Sequence, residues 1–426
     1  MLASPMNKYL RAAEEIFVIL SLILYTSGVI LLILTGGGGQ GINDDEELIK
    51  PIDFCLQQTI FFINYLIASF LLIIRWKKAV FTLSRDWTIW VLMVIALVSV
   101  FWSSTPKLTS ARSIALVGNC AFALYLASRY TMREQLKLLG WCFGLLIVMS
   151  FFCAILIPRY GTMDVGIHAG AWRGVFVHKN VLGKLMGLSG IIFMLLAMDA
   201  KTKRWIPWTG LGLSFCLLLL SKSSASMVNF LTVIALVPIY NTFRWRYQLM
   251  IPAIIATITL GGSLSFWFNQ NAETLLGSIG KDPTLTGRTD MWPYIMEMVW
   301  KQPWLGYGYN GFWNDWNSPG AYVWYAVKWL PPNSHNGFLD LWLDFGLVGV
   351  IVFGIGFWNT LQRSLNWLRI DKGWTSFWSI LYLTYLVLGN LTESSLAIRN
   401  DIFWLLYITA SFSLAIHTFK PDEMSV

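Results

Sequence analysis

An arginine and a histidine, each set just before a helix start, stand out in a chain otherwise made of apolar runs. Arg288 lies in Gly287-Arg288-Thr289-Asp290 and His335 in Asn333-Ser334-His335-Asn336-Gly337, within a polar interval spanning about 268–337. Thr289 or Asp290 can cap a short helix over 291–301, with Pro293 tolerated in its first turn. The free N–H groups of that helix start, beside a guanidinium, suit a phosphate or diphosphate. An arginine so placed can equally reach lipid head groups or pair with Asp290. Asn333 or Ser334 can cap the apolar segment that follows, leaving His335 in its first turn. There the positive end of the dipole favours a neutral imidazole, able to take a proton from a sugar hydroxyl. The alternative is a histidine that only hydrogen-bonds at a helix end.

A second set lies in Trp172-Arg173-Gly174 through His178-Lys179-Asn180, again before an apolar run. Arg173 with Arg288, and the helix starts around them, would make an anion-binding basin; His178 and Lys179 alone read equally well as interfacial anchors. Asp340 and Asp344 stand i, i+4 near the top of the segment after His335, where they can orient it, bind an acceptor or face a wet cavity. Glu393, in Asn390-Leu391-Thr392-Glu393-Ser394, is a similar candidate, and the turn at Trp102-Ser103-Ser104, with Pro106 and Arg112, can cover the site. Trp292, Trp300, Trp304, Tyr307, Tyr309, Trp313, Trp316, Trp324 and Trp329 crowd the interval. Such rings form an interfacial belt or stack on sugar faces. His168, His178 and His335 lack a compact carboxylate or thiolate spacing, so no metal site is expected.

The elements that must position these residues follow from composition. Of 426 residues 56% are hydrophobic and 13% charged, with a mean hydropathy of +0.58, which excludes an ordinary soluble protein. The expected fold is all-α, one polytopic membrane domain over 1–426. A span takes ~20 apolar residues. About twelve candidates fall near 15–35, 55–75, 87–103, 111–128, 137–157, 179–199, 206–221, 225–241, 248–267, 337–358, 375–390 and 400–417. A large outer loop with short interfacial helices, 268–336, separates the ninth from the tenth. The first run has no cleavage site before it and reads as a retained span. Cys55, Cys120, Cys142, Cys153 and Cys216 form no CxxC pair and read as packing residues.

The net charge of +8 is explained by loop orientation rather than nucleic acid, because no basic face is present. With the N-terminus inside, each inner connection is basic: Lys8 and Arg11; Arg75, Lys77, Lys78 and Arg85; Arg129, Arg133 and Lys137; Lys201, Lys203 and Arg204; Arg244 and Arg246; Arg363, Arg369 and Lys372; Lys420. The first outer loop carries Asp44, Asp45, Glu46 and Glu47. Both candidate walls then fall on the outer face of the membrane, with both termini cytoplasmic.

Several segments carry a resemblance: Trp102-Ser103-Ser104-Thr105-Pro106, Arg173-Gly174-Val175-Phe176-Val177-His178-Lys179-Asn180-Val181-Leu182-Gly183, Gly287-Arg288-Thr289 with Trp292, Trp304-Leu305-Gly306-Tyr307-Gly308, and His335-Asn336-Gly337 with Gly346 and Gly349. Over about residues 90–400 the chain resembles the O-antigen ligase and polymerase superfamily, membrane glycosyltransferases of bacterial surface polysaccharides, and around His178-Lys179-Asn180 its exopolysaccharide-production branch. The resemblance implies inverting glycosyl transfer from a polyprenyl-diphosphate-linked glycan to a hydroxyl of an acceptor glycan or lipid. It implies no nucleotide sugar, no cofactor and no required metal, with a flippase and a chain-length regulator as partners. Carried over by motif, Arg173 and Arg288 hold the diphosphate and His335 deprotonates or orients the acceptor; His178, Lys179, Asn180, Asp340 and Trp304 are the candidate substrate-binding residues beside them. Ligase and polymerase both remain open. A rival reading is a secondary transporter of a small anion such as bicarbonate, which would place its polar groups at the bilayer midplane on broken helices.

Overall fold

The computed structural model describes residues 5–28, 55–163, 168–253, 259 and 288–417. Among these the chain is all-helical, with one isolated antiparallel bridge between Thr162 and Trp172. The helices are α1 (Pro5–Tyr25), α2 (Cys55–Ile74), α3 (Trp76–Leu83), α4 (Trp87–Val98), α5 (Pro106–Arg129), α6 (Met132–Leu156), α7 (Pro158–Gly161) and α8 (Lys179–Asp199). They continue as α9 (Trp205–Leu220), α10 (Ser224–Thr242), α11 (Arg288–Lys301), α12 (Ala321–Val327), α13 (Gly337–Ile370), α14 (Trp378–Asn390) and α15 (Ile402–His417).

Six of the described helices are long and apolar enough to cross a membrane: α2, α5, α6, α8, α10 and α13. A 3-10 turn extends α4 to Phe101, and this segment is bent 90° from α3, making a broken pair. α9 and α15 are apolar but shorter. The twelve expected spans thus become six full-length ones, or seven with the broken pair, among the described residues. The expected spans at 15–35 and 248–267 lie partly outside those residues, as does the first part of the 268–336 loop.

Local chemistry sets the helix ends. Pro106 opens α5 from its first turn, five residues before the apolar run begins. Thr131 and Glu134 form a reciprocal capping box that opens α6. α14 and α15 are buried almost all round, as expected of helices apolar on every face, and form the centre of the bundle.

The basic connections gather at one end. Glu14 clamps Arg75 and Arg129 at 2.5 and 2.7 Å, Arg133 pairs with Asp199 at 3.1 Å, and Arg363 reaches Asp86 at 3.4 Å. Arg244 donates to the carbonyl of Gly373 at 2.8 Å. α5, α8 and α13 all finish at this end with Arg129, Asp199 and Arg369. Their N-termini, and the positive ends of their dipoles, lie together at the other.

Candidate active site

The turn before α13 is laced by its own side chains. Asn336 is the N-cap, its Oδ1 accepting from Phe338 N at 3.0 Å and Leu339 N at 3.4 Å. Contrary to expectation, His335 is therefore not in the first helical turn, and neither Asn333 nor Ser334 is the cap. It precedes the helix in the left-handed region at φ +51°, with its N–H donated to Asn333 Oδ1 at 2.9 Å. A non-glycine residue held there costs about 1–3 kcal/mol and persists only when its surroundings fix it. Buried Ser334 supplies part of that fixing, accepting from Asn336 N at 3.1 Å and donating to Asn336 O at 2.6 Å.

The imidazole is 18% exposed and is held from two sides. Nδ1 lies 3.3 Å from Glu393 Oε2, and Trp329 stacks beside the ring with centroids 6.2 Å apart. The other carboxylate oxygen of Glu393 accepts from Asn180 Nδ2 at 3.4 Å. Glu393 thus joins the first turn of α8 to the histidine before α13. Sequence reasoning gave it only a minor place, since nothing local pairs a lone glutamate with residues 58 and 213 positions away.

The segment after α14 is stapled at several points. Asn390 Oδ1 accepts from Ser395 N at 2.8 Å and Leu396 N at 3.1 Å, and Gly337 packs directly on that oxygen. Ser394 Oγ donates to Asp340 Oδ2, and Lys184, one turn below Asn180, reaches Ser395 Oγ with its ammonium 4.3 Å over the Phe403 ring. Asn180 and Lys184, polar residues four apart on an apolar helix, were the available signal for this contact.

Asp340 is occupied by protein. Its oxygens also accept from Trp313 Nε1 at 3.0 Å and from Ser334 N at 3.1 and 3.2 Å. It braces three loops, including the one carrying His335.

α11 begins at residue 288, three residues before the expected start, and Pro293 falls inside it. Its face of Met291, Ile295, Met298 and Val299 is buried with Tyr307, Phe312 and Leu343. Trp292 Nε1 donates to Ser334 O at 3.0 Å, bringing the N-terminal part of this helix against the histidine turn. The side chain of Arg288 lies outside the described residues.

Arg173 is 4% exposed and donates from Nε to Tyr160 O at 3.0 Å and from Nη2 to Arg159 O at 3.1 Å. His178 is the N-cap of α8, its Nδ1 accepting from Asn180 N at 3.1 Å. Lys179 Nζ donates to Lys222 O at 3.3 Å.

The Trp304–Gly308 motif has a structural task. α13 breaks at Gly346 (φ +64°), and the backbone of 303–307 fills the break. Tyr307 N donates to Leu343 O at 2.7 Å, Leu347 N to Pro303 O at 2.7 Å and Val348 N to Trp304 O at 3.2 Å. These bonds satisfy groups that a bent helix would otherwise leave open. The Trp304 ring is 64% exposed beside that break, roughly 14 Å along α13 from its start. Tyr309 is buried, which raises its hydroxyl above the ordinary value and keeps it a donor, here to Ala397 O at 2.8 Å.

Comparison with known proteins bears out the family resemblance. Residues 209–354 match the Wzy_C family model, described as O-antigen ligase. The chain is similar to the exopolysaccharide production protein ExoQ of Rhizobium meliloti, 26% identical over 316 residues, covering 70% of each chain. The family match takes in α9 through the break in α13, including Arg288 and His335. Together with the apolar helices, these similarities support a membrane protein of polysaccharide biosynthesis.

Proposed function

We propose that the chain is a membrane glycosyltransferase that moves a glycan from a polyprenyl diphosphate to a hydroxyl of an acceptor glycan or lipid, with inversion and without a metal. The observation that carries this reading is the Asn180–Glu393–His335 chain, which fixes an imidazole at the end of the bundle where the N-termini of α5, α8 and α13 converge. That end is the outer face, where a lipid-linked glycan would be presented.

In this mechanism Glu393 accepts a hydrogen bond from Nδ1–H of neutral His335, which leaves the Nε2 lone pair for the acceptor. The acceptor oxygen attacks the anomeric carbon and the bond from that carbon to the diphosphate oxygen breaks. The hydroxyl proton passes to Nε2, and the diphosphate leaves with the bonding pair. Arg288, at the start of α11, and Arg173 stabilise the charge that grows on the leaving group. Holding both substrates in line supplies much of the remaining acceleration. His178, Lys179 and Asn180 line the donor side, and Trp329 offers a ring face to the acceptor sugar beside the imidazole. Asp340 acts by holding the histidine turn in place.

The test is replacement of Arg288 and His335 by alanine, separately, with polysaccharide length and attachment measured in the host. Both changes should abolish elongation or attachment while the protein is still made. Normal polysaccharide together with reduced uptake of a small anion would favour a transporter instead.

A further inference from the structure

Arg112 on α5 and Arg399 between α14 and α15, 287 positions apart, converge on one residue. Arg112 Nη1 donates to Asn310 O at 2.7 Å and to Asn314 Oδ1 at 2.5 Å, while Arg399 Nη1 donates to Asn310 Oδ1 at 3.1 Å. Asn310 is itself left-handed at φ +52° and turns its Nδ2 to Asp344 Oδ2 at 3.2 Å. All five side chains belong to partly exposed residues.

The charges in this cluster do not balance. Among the described residues neither arginine has a carboxylate within ion-pair distance, and the two guanidinium groups feel each other's charge. Asp344 supplies at most one negative charge for two positive ones and is engaged with the Asn310 amide. A guanidinium carries five N–H donors in a planar fork. Among the described residues, three hydrogen bonds to neutral oxygens leave most of the donors on this pair without a protein acceptor.

A structural brace is the competing explanation. Bracing the 309–314 loop accounts for the bonds of Arg112, but one arginine would serve, and a second beside it adds repulsion. An arriving oxyanion would relieve that repulsion and accept the remaining donors in the side-by-side geometry that arginine favours.

Position adds a further argument. Asp344 is one turn, roughly 6 Å, below Asp340 on α13, and Asp340 holds the Ser334–His335 turn. The arginine pair is therefore tied, through Asn310, to the same face of α13 that holds the histidine turn, about one helical turn further along.

We propose that Arg112 and Arg399 form a second anion site that takes an oxyanion on the acceptor glycan, a hexuronate carboxylate fitting the forks best. The site rests on the glycosyl-transfer reading and narrows its substrate class to acidic glycans.

The test uses the full chain in nanodiscs, with sodium glucuronate and glucose followed by saturation-transfer NMR and inorganic phosphate by the broadening of its phosphorus resonance. Glucuronate should bind saturably and glucose should not. Arg399→Gln should weaken glucuronate about tenfold or more, a loss of about 1.4 kcal/mol. Arg399→Lys keeps the charge without the fork and should also lose affinity, which preserves the test if the glutamine variant fails to fold. Phosphate binding that depends on Arg399, with glucuronate silent, would uphold the anion site and assign it a phosphate substituent. Full affinity in both Arg399 variants, or no binding of either oxyanion, would overturn it. His335→Ala should leave glucuronate binding intact while abolishing transfer, so failure of the anion site and failure of the transferase reading give different results.

Discussion

Gly337 lies so close to Asn390 that a Cβ on the glycine would overlap the amide oxygen. This contact presses the start of α13 against the end of α14. The same oxygen orders Ser395 and Leu396, and with them the segment bearing Glu393.

Gly337→Ala should therefore dislodge Asn390 and release two buried N–H groups. The cost is about 1–3 kcal/mol for each group left unsatisfied. A lowered melting temperature in detergent, with transfer falling alongside it, would check this. An unchanged melting curve would show that the contact is soft.

Glu393→Gln keeps the shape but cannot hold the Nδ1 proton as a carboxylate does. Turnover should fall, though by less than in His335→Ala, where loss of the base removes roughly 10²–10⁴-fold. Glu393→Asp should restore part of it. The folded fraction should be unchanged in Glu393→Gln, and full activity in that variant would separate the glutamate from catalysis.

Asp340→Asn places an amide N–H₂ among donors from Trp313, Ser334 and Ser394. With at least one donor left facing another, stability should drop by about 1–3 kcal/mol. Steady-state kinetics on the surviving protein should show a lower kcat with little change in acceptor KM, as expected of a residue that positions His335. A large KM effect alone would point to direct substrate contact.

Gly346→Ala meets two penalties. Its φ of +64° is unfavourable for any side chain, and a Cβ would overlap the Trp304 carbonyl. The conformation alone costs about 1–3 kcal/mol. Little folded protein should reach the membrane fraction, as judged by yield and protease resistance.

Much of this architecture was legible in the chain. The apolar run at 179–199 matches α8 residue for residue, and 206–221 and 225–241 fall within a residue of α9 and α10. Hydropathy sees burial in lipid well but sees turn geometry poorly. It gave no warning that the basic stretch after Arg75 would be helical and bent 90° from α4, or that the short run at 375–390 would open with a 3-10 turn and leave α14 13 residues long.

The site was legible in its residue types and less so in its connections. His335 and Asn180 carried their motifs openly, whereas Glu393, which joins them, had no motif of its own. Arg399 and Lys184 went unnoticed because each takes its meaning from partners about 90 and 210 positions distant. Trp304, chosen as a sugar contact, sits in a motif whose glycines are required by the break in α13.

That break constrains how the protein is made. Lipid offers no hydrogen bonds, so the groups exposed around Gly346 must find partners within the polypeptide as the helix enters the bilayer. Their partners, residues 303–307, leave the ribosome about forty residues earlier and are available when needed. A circular permutant that delivered this strip after α13 would have to insert a helix with a gap in its ladder, and should stall at that step even though its final contacts are the same.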